Sequence, residues 1–424
     1  MRPRPTSAFV PVALLAIALV AAPADVAAAQ ETQSTQPAPA DTQPSPDTQL
    51  STADTQPSTA DTQPVEKRQS LFHDPEDGAF DVSGFLSTKA GFLPLVIPIT
   101  EPAVGYGAAA GLTFFDTPPK VVQTPDGPRV IPPNATAVFG MATENGSWAG
   151  GAGHLHTWNN GRIRYLIGGG YASMNLDWFG QGDAFDGRAF SYNLEASALI
   201  QKLTFKLGDS DFFAGPTQRL LDTHSEFDRD STTDLGILPD QLDATVSGVG
   251  VNVGYDTRDS LFSPTRGTKA SLSFTWNDEA IGSDFDYGRV DAEVCQYFPL
   301  RGPFVLGLRG KVSYVGEDAP FFDLAGVRLR GIQIGRYVDN AAVTTEAELR
   351  WDFARRWTAV GFGGVGWVAD EFSLLDGADA QFAGGTGIRY LLARKYDLRM
   401  GLDVARGPED WAVYITIGTG WLRD

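Results

Sequence analysis

Between residues 341 and 353 polar and apolar positions alternate. Val343, Ala347, Leu349, Trp351 and Phe353 fall on one side, and Thr344, Glu346, Glu348, Arg350 and Asp352 on the other. Successive side chains of a β-strand point to opposite faces, so this run predicts a strand with lipid or core on one side and polar company on the other. The same period recurs near the C-terminus. Trp411, Val413, Ile415, Ile417 and Trp421 oppose Ala412, Tyr414, Thr416, Gly418 and Gly420, while Leu398, Met400, Leu402 and Val404 oppose Arg399, Gly401, Asp403 and Ala405. A soluble sandwich also alternates, but segments of about ten residues bounded by aromatics and repeated this often match a transmembrane antiparallel β-barrel. Lipid forbids open sheet edges, so closure is required. The apolar set then meets lipid, and Arg399 and Asp403 face a polar interior.

Extending the pattern backwards predicts strands at 398–405, 381–392, 358–368, 341–353, 304–315, 286–298, 268–276, 244–255 and 212–223, after the C-terminal one at 411–421. The N-terminal half adds 188–205, 162–176, 147–158, 135–143, 103–115 and one strand within 82–99. The expected fold is therefore all-β, about sixteen strands, with fourteen as the alternative. Pro94 and Pro98 are expected to interrupt the ladder of the first strand. Short connections at 300–302, 354–356 and 394–396 read as periplasmic turns, and longer ones at 277–285, 316–340 and 370–380 as outer loops. The Pro-rich stretch 116–133 is long yet falls on the periplasmic side, which would signal a slip of one strand in the N-terminal register.

The chain begins with Arg2 and Arg4, an apolar run from Ala8 to Ala22 and an A-x-A site at Ala27-Ala28-Ala29, so residues 1–29 read as a signal peptide. Residues 30–70 are rich in Thr, Gln, Pro and Asp with near-repeats, too polar to offset ordering entropy by burial, and read as a disordered tether. The barrel is assigned to residues 71–424. Its 47 Gly and 27 Pro over the whole chain disfavour long helices. A single cysteine, Cys295, excludes an intrachain disulfide and reads as a small packed side chain. The net charge of −19 argues against a nucleic-acid partner. The acidic run 222–243 reads as a solvated outer loop.

Two constellations carry candidate function. In the run 321–353, Gly326, Gly331 and Gly335 supply backbone freedom, and Arg328, Arg330 and Arg336 fixed positive charge. Arg330 is expected to fold back into the barrel toward the acids of the following strand. Upstream, Tyr255-Asp256-Thr257-Arg258-Asp259 precedes Phe262-Ser263-Pro264-Thr265-Arg266-Gly267. Pro264 and Gly267 suit a tight turn, and Asp256 or Asp259 can hold Arg258 or Arg266.

The second pattern resembles a signature of the BamA and TamA superfamily of outer-membrane assembly and translocation barrels, in which a strand ends in YD-x-RD before a turn with F-x-P-T-x-G. Leu329-Arg330-Gly331-Ile332, flanked by Gly335-Arg336-Tyr337 and Asp339, is similar to the family's V-R-G-F/Y motif at the tip of a long inward-folded loop. The resemblance makes Glu348 the first partner of Arg330, with Glu346 and Asp352 competing. It implies an outer-membrane location, lipid around the barrel and client outer-membrane proteins as partners. Three departures stand out. Gly364 occupies a position where the family often has a second inward Asp, Ile332 replaces an aromatic, and the chain ends GWLRD with its last aromatic at Trp421. The polar tether is also too short for a periplasmic POTRA module, so a POTRA-less member is expected.

Other signals are weaker. Gly361-Phe362-Gly363-Gly364-Val365-Gly366 matches a dinucleotide fingerprint literally, but strand-like sequence continues where a helix should open. His154 and His156 read as lumen polar residues, with no third metal ligand nearby. No catalytic residue, cofactor or metal is expected. The function expected is help in assembling or translocating outer-membrane components, and the alternative is a passive channel or structural barrel.

Overall fold

The computed structural model describes residues 71–84, 92–116, 120–124, 127–131, 134–180, 189–228, 241–260 and 262–421. The signal-peptide and tether expectations, residues 1–70, lie outside these. The strands in chain order are β1 (Phe92–Glu101), β2 (Gly105–Phe115), β3 (Lys120–Thr124), β4 (Gly127–Ile131), β5 (Ala135–Thr143), β6 (Trp148–Trp158), β7 (Ile163–Trp178), β8 (Phe190–Lys206), β9 (Phe212–Phe227) and β10 (Gln241–Asp256). They continue with β11 (Gly267–Asn277), β12 (Tyr287–Pro299), β13 (Phe304–Val315), β14 (Ala325–Gly326), β15 (Val338–Asp339), β16 (Ala341–Trp351), β17 (Trp357–Ala369), β18 (Gln381–Ala393), β19 (Leu398–Arg406) and β20 (Trp411–Ile417). Sixteen of them form one antiparallel sheet in the order β1-β2-β5 through β13, then β16 through β20. The predicted barrel and its strand number are both present. Among the described residues no helix is long and apolar enough to cross a membrane, which says nothing of a β-barrel.

The apparent slip in the N-terminal half is absent. Between β2 and β5, on the short-turn side, β3 pairs with β4 in a ladder of its own, so the length of this stretch needs no slipped strand. The prolines of β1 also act otherwise than expected. The β1–β2 register runs unbroken from Phe92↔Phe114 to Glu101↔Gly105. Glu144 N–H donates to the Tyr106 carbonyl at 2.8 Å, so even-numbered β2 residues turn their backbone groups toward β5 and odd-numbered ones toward β1. Ala109 thus bonds Ile97, and the even-numbered residues of β1, Pro94 and Pro98 among them, point away from β2. The prolines leave the ladder intact and strip donors from the free edge instead.

That edge matters because β1 and β20 approach each other, yet no ladder joins them among the described residues. The wall is nearly closed, with a seam.

The alternation expected of a membrane barrel is visible throughout. Val249, Val251 and Val253 of β10, Leu272, Phe274 and Trp276 of β11, and Leu349 and Trp351 of β16 point outward and are exposed to the lipid side. Aromatic pairs such as Phe304–Trp351 and Trp357–Tyr390 mark strand ends. His154 and His156 are a correction: alternation on β6 places them outward with Trp158, while Ala149 faces in. They satisfy each other in a surface chain, His154 with Thr136 at 2.8 Å and His156 with Asn134 at 3.2 Å, and His156 stacks on Trp158 at 4.4 Å. The glycine run 361–366 lies inside β17, as the strand reading requires.

Candidate functional site: a loop locked inside the lumen

The loop 316–340 is built to be held at several points. Its base is a 3-10 turn, Phe321–Asp323, and the two-residue ladder of β14 and β15 closes it into a hairpin with Arg330 and Gly331 at the tip. Phe321 and Phe322 enter an apolar cluster at the outer-loop end of the lumen with Trp178, Phe190, Tyr192 and Phe227. Ring centroids in it lie 5.1 to 6.5 Å apart, for example Tyr192–Phe227 at 5.1 Å and Trp178–Phe227 at 6.5 Å. Beyond it the loop lies flat on β17. Val327 covers Gly366 and Leu329 covers Gly364; a Cβ on Gly364 would stand 2.5 Å from Leu329 Cδ2 and 2.6 Å from the Thr345 carbonyl. The glycine that replaces an expected Asp is therefore floor for the loop. At the tip, Gly331 adopts φ 103°, a conformation strained for any other residue, and its N–H donates to the Tyr414 hydroxyl at 3.0 Å.

Arg330 is 3% exposed and its guanidinium is surrounded by acids. Nε donates to Glu346 Oε1 at 2.9 Å, Nη2 lies 2.8 Å from Glu346 Oε1 and 2.7 Å from Glu348 Oε2, and Nη1 reaches Asp403 Oδ2 at 3.0 Å. Its plane stacks over the Phe362 ring, 3.5 Å from the centroid. Of the three acids expected, the structure brings Glu346 and Glu348 to Arg330 but not Asp352. The strand ends at Trp351, and Asp352 lies beyond it, pairing with Arg399 at 3.1 Å and accepting from Thr358. The third carboxylate comes from Asp403 on β19, so Arg330 does not rest on the 346–352 strand alone. Asp403 also pairs with Arg389 at 2.8 Å and accepts from Thr416 at 3.1 Å. Arg309 completes the wall, with Glu293 at 2.7 Å and Glu346 at 3.9 Å. Such buried charges are tolerable only as a paired set.

Trp421 is a further correction. Expected on the lipid face, it is 3% exposed inside the lumen. β20 stops at Ile417, and Gly418 with φ 72° turns the chain off the wall. Trp421 then donates from Nε1 to Glu346 Oε2 at 2.6 Å and packs on Tyr297, centroids 5.6 Å apart. Gly420 lies so close to Arg330 that a Cβ would stand 2.5 Å from Nη1. The end of the last strand thus shares a carboxylate with the loop tip.

A second anchor was missed by the sequence reading. Asp323, 6% exposed, accepts from Arg219 Nη1 at 3.1 Å, from Arg289 Nη1 at 3.1 Å and from the Tyr287 hydroxyl. Arg289 also donates to the Asp323 carbonyl at 2.8 Å and pairs with Asp291 at 2.7 Å. The polarity is reversed: here the loop supplies the acid and the wall the arginines. Inward arginines at 219 and 289, with an acid directly after Phe321-Phe322 in the loop, were the available signal.

The turn motif folds differently from a plain tight turn. Arg258 donates to Asp256 at 2.7 to 3.1 Å, whereas Arg266 stands 4.0 Å from Asp259. Asp259 instead accepts from the Thr265 and Arg266 backbone N–H groups at 2.9 and 3.2 Å. Gly267, φ 99°, passes so near the Thr257 carbonyl that a Cβ would lie 2.3 Å away. Phe262, Ser260 and Ser263 are buried, and Arg350 of β16 donates from the lumen to the Pro264 carbonyl. Tyr255 points outward onto Phe212, centroids 4.6 Å apart.

Comparison with known proteins bears on the barrel that holds this loop. Residues 220–387 match the Omp85 superfamily domain, a span that includes Asp323, Arg330, Glu346 and Glu348 but neither Asp403 nor Trp421. Among solved structures, BamA from Haemophilus ducreyi lacking POTRA domains 1-3 aligns with a TM-score of 0.51 at 15% identity, covering 77% of this chain and 70% of that one. CdiB from Acinetobacter baumannii aligns at 0.52 and 12% identity, covering 77% and 59%, and CdiB from Escherichia coli at 0.51 and 12%, covering 77% and 61%. The chain thus spans less than two thirds of either CdiB, and identities this low speak for the fold alone. No curated protein sequence matches the chain. No POTRA module stands among the described residues.

Proposed function

We propose that this chain, whose residues 220–387 match the Omp85 superfamily domain and whose barrel has the fold of BamA, assists the insertion or translocation of outer-membrane components at the β1–β20 seam. The observation that carries this reading is the free edge of β1. An unpaired edge templates another strand. Here β1 has 10 residues while β20 has 7, and prolines at 94 and 98 remove donors that would otherwise tie the two together. Among the described residues no ladder between the two has to be broken before an incoming strand pairs, and β20 offers it a full set of donors where β1 lacks those of residues 94 and 98. The passive-channel alternative is less well supported, because the loop is held inside the lumen at its aromatic base and its charged tip, where a solute would travel. No chemical step belongs to this function; lipid and nascent barrels are its partners.

A photocrosslinking residue at Val96, outward on β1 and 66% exposed, tests the proposal in cells. Adducts with newly made outer-membrane proteins are expected at Val96 and not at Val251 on β10, across the barrel. A seam without adducts, in a protein that conducts small solutes in planar bilayers, would leave only the channel.

A further inference from the structure

The described segment before the barrel, residues 71–84, has two chemically opposite faces, an acidic one turned to the barrel and an apolar one turned away from it. Residues 72–81 fold back as a small hairpin. Asp74 N–H donates to the Ala79 carbonyl at 3.0 Å and Asp81 N–H to the Phe72 carbonyl at 3.1 Å, with Gly78 in the turn at φ 67°. A hairpin this small does not hold together alone in water. The acidic face supplies the hold. Asp74, Asp77 and Asp81 pair with Arg356, in the turn between β16 and β17, at 2.5, 2.7 and 2.7 Å. Arg356 is buried, and the three carboxylates offset its desolvation. Hydrogen bonding from Arg356 holds the Asp77 carboxyl down at about 2, so the contact stays charged at neutral pH. The backbone adds a tie: Leu392 has no partner in the β18–β19 register, where a bulge falls, and its carbonyl accepts from Val82 N–H at 2.9 Å.

The other face is apolar and exposed. Leu71, Phe72 and Phe80 are 43%, 43% and 48% exposed, and the two phenylalanine rings stack, centroids 6.4 Å apart and planes 3° from parallel. Large apolar side chains gathered on one face mark a surface meant for something other than water. The position of the hairpin says what that is. The Tyr390 hydroxyl donates to the Phe80 carbonyl at 2.8 Å, and Tyr390 packs edge-on against Trp357, centroids 4.9 Å apart. Both residues belong to the outward set of their strands, as does Trp351, which packs on Phe353 at 5.6 Å. They form an aromatic girdle on the lipid side at the short-turn end of the wall, and aromatic side chains concentrate where the apolar core of a membrane meets its headgroups. The rings of the hairpin continue that girdle. We propose that residues 71–81 form a membrane-interface foot, an acid-locked hairpin whose Leu71, Phe72 and Phe80 lie among the phospholipid headgroups of the leaflet on the short-turn side. The lock to Arg356 then does more than pair a buried charge: it fixes which face of the hairpin meets the membrane. This inference needs the lipid-facing barrel but not the seam.

The test is a depth measurement with nitroxide labels on the full-length chain, in vesicles of phosphatidylethanolamine and phosphatidylglycerol. One label sits on a cysteine replacing Leu71 in a Cys295→Ser background. Reference labels replace Val251, in the lipid-facing belt, and Asp209, a fully exposed side chain in the β8–β9 turn. Collisions with oxygen, which concentrates in the bilayer, are compared with collisions with a water-soluble nickel chelate present on both sides. The label at 71 is expected to favour oxygen and to lie between the two references in depth. Arg356→Gln is expected to release the foot and bring that label to the values seen at 209. Where that variant lacks the heat-shifted band of a folded barrel, the Asp74→Asn, Asp81→Asn chain keeps the arginine in the wall and must give the same shift. In the folded protein without these changes, a label at 71 as open to the chelate as the one at 209 overturns the foot. A label shielded from both reagents overturns it too, because protein and not lipid would then cover the rings. A folded release variant whose label keeps its depth overturns the lock.

Discussion

Replacing Arg330 by alanine is expected to destabilise the folded barrel by about 3–5 kcal/mol, the range for removing one partner from a buried charge set. The cost arises from what remains. Glu346, Glu348 and Asp403 are each 5% exposed or less, and all three contact the guanidinium. Arg309 and Arg389 compensate only part of that charge, since each already serves another carboxylate or shares one. Because the loop tip loses its hold, open-channel noise in planar bilayers should rise together with the loss of heat resistance on semi-native gels. Glu348→Ala should move both in the same direction by less, because Glu346 and Asp403 still pair with the arginine. A barrel with Arg330→Ala that keeps wild-type heat resistance would sink the lock.

Asp323→Ala is the second large effect, again about 3–5 kcal/mol, and for the opposite reason: it strands positive charge. Arg219 and Arg289 converge on that one carboxylate, and Arg289 would keep Asp291 while Arg219 would lose its only acid partner among the described residues. Asp323→Asn keeps the shape and some hydrogen bonds but not the charge, so it should recover only part of the loss. Chemical denaturation of vesicle-embedded protein measures both. The aromatic base at Phe321 and Phe322 should stay seated in Asp323→Asn, readable as unchanged near-ultraviolet circular dichroism. Equal stability of Asp323→Ala and the native chain would show that the aromatic base alone fixes the loop.

The strands were legible because a membrane barrel imposes one rule on every residue. Lipid on one side and a polar lumen on the other favour alternation along each crossing, and where it fails, as at outward His154 and His156, polar side chains satisfy one another. Glu346 and Glu348 could be placed on the lumen face from spacing alone. Asp403 could also be placed inward, yet nothing in its neighbourhood named its partner, which stands 73 positions away. Trp421 continued the outward phase of β20 on paper. One positive φ at Gly418 sends it inward, and a backbone turn of that kind leaves no mark on a hydrophobic pattern.

The prolines of β1 show the same boundary more finely. That Pro94 and Pro98 lack donors is a property of the residues. Which neighbour loses those donors depends on the parity of backbone groups across β1, β2 and β5, and only the assembled sheet sets that parity. The acids at 74, 77 and 81 are similar: plain in the chain, they find partners only where two turns from the far end of the sequence bring Arg356 and Arg394 to them.

The sequence by itself thus determined the barrel, its strand number of about sixteen and the acidic face of the 341–353 strand, because local periodicity against two fixed solvents needs no long-range information; the inward-folded loop was implied by the family resemblance. Tertiary structure alone decided which charges meet, where the last strand leaves the wall and which edge is left unpaired. Those outcomes depend on closing a sheet through contacts between residues far apart in the chain, and no local pattern encodes the register of that closure.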